Sequence, residues 1–99
     1  NDPEPFAYSG WIARLAGLPD AGLPRIQQAI TIDQSYPDAH FFKGIILLRD
    51  KNDPAGAIPE FQLYLAAAPN GPQSNAVRQL LAQATSTVSG GVPSSTTKP

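Results

Sequence analysis

Cysteine and methionine are both absent from the 99 residues, charged residues make up only 15%, and the longest run of isoleucine and leucine, Ile45–Leu48, is four residues. Each shortage excludes something. Without cysteine there is no disulfide scaffold, zinc finger, iron–sulfur site or thiol nucleophile. No apolar run approaches the ~20 residues of a membrane span, so no direct membrane insertion of this segment is expected. Seven Lys and Arg against eight Asp and Glu leave a formal charge of -1. That balance gives no electrostatic footprint for a nucleic-acid backbone or an anionic membrane surface.

The inventory for catalysis is equally thin. Glu4 and Glu60 are the only glutamates and fall in different parts of the chain, so a paired acid–base mechanism has little to draw on. No serine stands in a nucleophile-elbow pattern, and no glycine loop is spaced to cradle a phosphate. His40 is the only histidine, and without further ligands it reads as a partly buried structural residue rather than a metal ligand. Asp50 and Asp53 flank Lys51-Asn52, but they lack the alternating acids, central glycine and final glutamate of a calcium loop. Capping and solvation are expected of them. The expectation is a domain that is not an enzyme and has no cofactor. The lack of methionine even at position 1 is expected of a segment cut from a longer chain, so a missing leader says nothing about compartment.

What the chain does have is punctuation. Eleven prolines and eight glycines divide it into helix-length blocks. Asp2-Pro3-Glu4 supplies a capping acceptor, a first-turn proline and an acid near the positive helix end. That block runs to about Ala16 and stops at Gly17, with Pro19 beyond it. Asp20 opens a second block reaching Asp33, and the turn Ser35-Tyr36-Pro37-Asp38 leads to a third over 38–50. Asn52-Asp53-Pro54 starts a fourth over 54–68, broken by Pro69-Asn70-Gly71-Pro72. A fifth runs from Gln73 to about Thr85. Apolar positions recur at three and four, as in Ile26, Ala29, Ile30 and in Val77, Leu80, Leu81, Ala84. Connections of two to five residues force neighbouring helices to be antiparallel. The predicted fold is all-α, with order over 2–86 and a disordered Ser/Thr/Gly/Pro tail over 87–99.

Sliding the chain against itself exposes a repeat. A shift of 34 places Phe6 on His40, Tyr8 on Phe42, Gly10 on Gly44 and Trp11 on Ile45. A shift of 35 places Leu23-Pro24-Arg25-Ile26-Gln27 on Ile58-Pro59-Glu60-Phe61-Gln62, which puts the extra residue between helices around Lys51–Asp53. Each unit is a helix pair that cannot cover its own apolar face and must stack on its copy. Gly10 and Gly44 stand mid-helix, where glycine costs ~1 kcal/mol against alanine, and a close approach of helix backbones would account for both. Pro24 and Pro59 predict matching kinks or short 3₁₀ entries in the second helices.

The second unit carries His40, Gly44, Leu47, Ala57-x3-Phe61 and Pro69, and the first a looser Phe6, Gly10, Ala13, Gly22-x3-Ile26 and Ala29. In this the chain resembles the tetratricopeptide repeat family. Ser9 and Lys43 replace the usual leucine, Tyr64 the usual alanine, and Gln34 the closing proline of the first unit. The resemblance implies two antiparallel helical pairs, about 3–36 and 37–71, and a capping helix over 73–85. The stretch Tyr36–Gly44 is also similar to tetratricopeptide domains of membrane-anchored bacterial proteins, including accessory proteins of c-type cytochrome assembly; no haem-attachment motif accompanies it.

In that family the first-helix positions border a concave groove that takes a peptide or partner helix. Carried onto this chain, the resemblance implies a groove of Tyr8, Trp11, Leu15, Phe42 and Ile45, with Arg14 and Arg49 as neighbouring cations. Aromatic and Arg side chains are the types that dominate binding hot spots. The columns would be Tyr8, Phe42 and Val77; Trp11, Ile45 and Leu80; and Leu15, Arg49 and Ala84. Phe41 and Ile45 are expected chiefly to pack one first helix on the next. Ala7, Trp11 and Phe42 occupy the places where a carboxylate-clamping member of the family would carry Lys and Asn, so that activity is not expected. The implied partner is a protein or peptide. A second copy of the chain, or other helices of a larger one, is the alternative occupant of the aromatic surface.

Overall fold

A computed structural model describes residues 2–90. Five helices follow one another: α1 (Glu4–Leu15), α2 (Pro19–Ile32), α3 (Pro37–Ile45), α4 (Pro54–Ala67) and α5 (Ser74–Gly90), with no strand among the described residues. The helix starts follow the local chemistry. The Asp2 carboxylate accepts from the Glu4 N–H at 3.0 Å, and the Pro3 carbonyl takes the first helical bond, from Ala7. Asp53 accepts from the Gly56 N–H at 3.0 Å ahead of Pro54. Pro19 and Pro37 open α2 and α3 without a side-chain cap. Pro24 and Pro59 lie inside continuous α-helix, and neither entry is 3₁₀. Each ring sits near the start of its helix, where little of the backbone ladder is lost.

The two turns that follow α1 and α3 solve the same problem with different numbers of residues. After α1, Gly17 takes a left-handed φ of 85°. Its N–H donates to the Arg14 carbonyl, and the Leu18 N–H donates to Ala13, five residues back. After α3 the helix widens into one π turn over Ile46–Asp50. Lys51 donates to Ile46, Asn52 takes the left-handed φ of 52°, and Asp53 donates to Leu47, six residues back. The additional residue of the longer repeat is therefore absorbed in the last turn of the helix. The sequence reading placed it in the loop at Lys51–Asp53. The widened end keeps the Lys51 and Asp53 N–H groups bonded to helix carbonyls.

The two mid-helix glycines are both contact points, of different kinds. α1 and α2 run antiparallel, with Ser9 bonded to Arg25 and Gly10 facing Gly22 and Ile26. A Cβ on Gly10 would stand 2.6 Å from the Gly22 carbonyl oxygen, so here backbone meets backbone. At Gly44 the neighbour is a side chain. A Cβ there would stand 2.7 Å from Cδ1 of Phe61, whose ring is fully buried between α3 and α4.

Packing divides into two apolar clusters that share Phe41 as a partly buried neighbour. The first joins Ala7 of α1 and Ile26, Ala29 and Ile30 of α2 to Ala39, Phe42 and Ile46, and so bonds one helix pair to the next. The second holds Ala57, Phe61 and Tyr64 of α4 against Val77 of α5, with Ile45 and Leu80 alongside. Tyr64 fills the place where the resembled family has alanine; it is fully buried, and its hydroxyl accepts the Gln73 N–H at 3.0 Å, which fixes the entry to α5. α5 itself runs to Gly90, past the expected stop near Thr85. Val77 and Ala84 anchor it, and the Thr87 hydroxyl donates to the Gln83 carbonyl at 2.9 Å, so the polar last turn satisfies itself within the helix. The remainder of the expected tail, 91–99, lies outside the described residues.

Gly10→Ala is expected to destabilise the protein by about 1–3 kcal/mol, because a fixed carbonyl must move aside and the overpacking exceeds the ~1 kcal/mol gained in helix propensity. Urea unfolding followed by circular dichroism checks this. A neutral or stabilising substitution would mean that α1 and α2 are not in backbone contact there.

Candidate functional site

One recess collects aromatic side chains on the first-helix side of the molecule. It is about 480 Å³, bordered by Tyr8 and Trp11 of α1, Asp38, Phe41 and Phe42 of α3, and Pro72-Gln73 at the entry to α5. The indole of Trp11 lies stacked on Phe42, with centroids 4.7 Å apart and planes 16° apart. Tyr8 meets the same phenyl ring edge-on at 5.2 Å, and its hydroxyl donates to Asp38 at 2.9 Å. That hydrogen bond, followed by burial and the Asp38 charge, raises the Tyr8 phenol above its ordinary range. Phe41 extends the series from Trp11, at 6.4 Å, to Tyr64, at 6.0 Å.

Arg14 closes one end of this assembly. Its guanidinium carbon stands 5.1 Å from the centroid of the indole, and it donates to both oxygens of Asp50, at 2.6 and 3.3 Å. The pair is partly exposed and worth little by itself. Its effect is positional, because it holds a cation against the open face of Trp11.

The residues expected in the groove separate into those that converge and those that do not. Tyr8, Trp11 and Phe42 converge, with Arg14 at their edge. Phe42 is 5% exposed, so it forms the floor under Trp11 and leaves Tyr8, Trp11 and Phe41 as the more accessible rings. Ile45 is drawn into the α3–α4–α5 core beside Leu80. Arg49 lines a separate shallow recess with Gln79 and Leu80, and bonds Gln83 at 3.5 Å. Leu15 projects from the end of α1, 65% exposed and away from the aromatic recess. The expected columns hold in part: Tyr8 meets Phe42, and Ile45 and Leu80 pack on one core, but Trp11 stacks on Phe42 rather than on Ile45, and Val77 belongs to the second core.

Asp38, Pro72 and Gln73 were not singled out by sequence. Asp38 belongs to the expected turn Ser35-Tyr36-Pro37-Asp38, and only the approach of α1 to α3 reveals it as the acceptor for Tyr8. Asp53 caps α4 as expected, whereas Asp50, expected to be solvated, pairs with Arg14.

His40 sits on the other side of α3, 3% exposed. Its Nε2 lies 2.7 Å from the Gln34 carbonyl and its Nδ1 2.8 Å from Oε1 of Glu60. Lys43 stands 3.5 Å from the second Glu60 oxygen and donates to Gln27 at 2.9 Å. The Glu60 hydrogen bond lifts the imidazole above 6.5, against a desolvation that would lower it. Burial by itself would push the Glu60 carboxyl up, but the His40 hydrogen bond and the Lys43 charge together hold it below 4.5. Glu60 was legible only as an isolated acid, since its partner is twenty residues away on another helix.

No family model, curated protein or solved structure matches the chain.

The His40–Glu60 pair sets a pH dependence whose sign is fixed at both ends. The histidine contribution is complete below its unfolded value of 6.5 and is lost as pH rises through the higher folded value. The glutamate contribution is complete above 4.5 and is lost as pH falls through the lower folded value. Urea midpoints measured across pH should be highest between these values and decline on the alkaline side. In a Glu60→Gln variant the alkaline decline should flatten.

Proposed function

We propose that the chain is a non-catalytic protein-interaction domain of tetratricopeptide-like design, and that it takes a peptide or partner helix on the face formed by Tyr8, Trp11 and Phe41 over Phe42. The observation that carries this reading is the partly exposed indole, stacked on Phe42 with a guanidinium over its ring. A large aromatic face held rigid by Phe42 loses little entropy on binding, and Arg14 and Asp38 at its borders offer charge-assisted contacts to a ligand's polar groups. The pairing of α1 with α2 and of α3 with α4, joined by a 34-to-35-residue period, supports the repeat-like architecture. An adaptor or scaffold role follows from it, including in a membrane-anchored bacterial parent protein. No helix among the described residues is long and apolar enough to cross a membrane, so any such anchor would lie elsewhere in that parent.

A second reading has its own support. Ile12 (63% exposed), Leu15 and Leu18 (58%) form an apolar edge on α1 and its exit turn, outside the aromatic recess. Ile46, the repeat counterpart of Ile12, is fully buried in the core shared with the first helix pair. An exposed edge of this kind favours self-association or docking onto further helices.

The two readings separate by mutation. Peptides selected from a phage-displayed helical library should bind the wild-type protein and lose about tenfold or more in affinity in Trp11→Ala. Circular dichroism should still show a cooperative transition in that variant. If Trp11→Ala unfolds the protein, the indole is core and the groove assignment fails. Leu15→Asp should leave peptide capture intact, and should change sedimentation behaviour only if the exposed edge mediates self-association.

A further inference from the structure

The environment of His40 demands two protons on the ring. A carbonyl oxygen only accepts, so Nε2 must donate to Gln34, and an ionised carboxylate only accepts, so Nδ1 must donate to Glu60. Only the imidazolium satisfies both. When the ring loses a proton, one nitrogen presents a lone pair to an oxygen lone pair at under 3 Å, and one of the two contacts must open.

Those contacts join three successive segments. Gln34 lies in the connection that leaves α2, His40 is on α3, and Glu60 is on α4. The other polar ties between the first helix pair and the second are Tyr8–Asp38, Arg14–Asp50, Lys43–Gln27 and Lys51–Asp20, all partly or largely exposed. Such ties contribute little and yield readily. The His40–Gln34 bond is the buried one among them. The charged groups facing the ring are Glu60 from α4 and Lys43 one turn along α3. The rest of that recess presents only neutral side chains, including Gln27 and Thr31 from α2 and Leu63 from α4. Immediately next in sequence on α3 stand Phe41 and Phe42, the second of which carries Trp11.

We propose that the His40 imidazolium is a pH-sensitive strut that fixes the first helix pair against the second and thereby sets the stack of Trp11 on Phe42. Loss of its proton frees the Gln34 connection or turns Glu60 away, α1 shifts relative to α3, and the aromatic face is remodelled. The consequence for partner capture rests on the groove reading above; the coupling of His40 to Trp11 does not.

The composition makes the test direct, since the chain holds one histidine and one tryptophan. The imidazole proton resonance of the full chain reports only His40, and indole fluorescence reports only Trp11. Both are followed from mildly acidic to mildly alkaline pH, short of tyrosine ionisation. The two curves should share one midpoint, lying above 6.5. Glu60→Gln should move both midpoints downward together by about one pH unit or more, and His40→Asn should leave the indole emission flat across the range. An imidazole that titrates while Trp11 emission stays constant overturns the proposal, even if the groove captures peptides. So does an indole transition that persists in His40→Asn.

Discussion

The burial of Ala39, Phe42 and Ile46 against Ala7, Ile26, Ala29 and Ile30 is the contact on which the rest of the molecule depends. Each helix pair closes its own interior only in part. The second uses Phe61 over Gly44, and the first the backbone approach of Gly10 to Gly22. Neither closure reaches the face that the other pair covers. Where they meet, Phe42 is pressed from below by the shared core and from above by Trp11. A single side chain can therefore belong to the core and support a surface ring. The same meeting brings Asp38 to Tyr8 and Asp50 to Arg14, and encloses His40 beneath the connection from α2.

Helix positions were legible in the sequence because their signals are local. An aspartate or proline at a start acts within one turn, and so does a glycine with positive φ at a stop. The glycine placement was legible as well, since Gly10 and Gly44 both stand at close helix contacts, though of different kinds. What escaped was mostly a matter of distance. Glu60 gives no sign of its partner, because the pairing needs the antiparallel return of α4 across α3. The extra residue of the second unit could be located to within a few positions, but its expected place was the loop rather than the helix end, since both placements leave the same spacing. α5 was cut short because serine and threonine were read as loop formers, whereas Thr87 bonds back into its own helix.

The site was half legible for a different reason. Tyr8, Trp11, Phe42 and Arg14 could be gathered by repeat position, and they do converge. Repeat position does not say which ring lies beneath which. An apolar residue at a first-helix position serves equally as floor, as wall or as filler of the next core. Ile45 became filler and Phe42 floor because α3 is rotated to face Trp11 with the second of two consecutive phenylalanines.

The π turn at Ile46–Asp50 marks where the two halves of the chain stop being equivalent. Up to Gly44 each residue of α3 has a counterpart in α1; past Asp53 each residue of α4 has one in α2, a single step further along. Between them one amino acid has no twin. The offset gathers at a single spot, the last turn of the first helix of the second pair. A copy of the second pair substituted for the first would carry its own Arg and Asp side chains around the helix axis to new bearings. The halves are kin in shape without being interchangeable as parts.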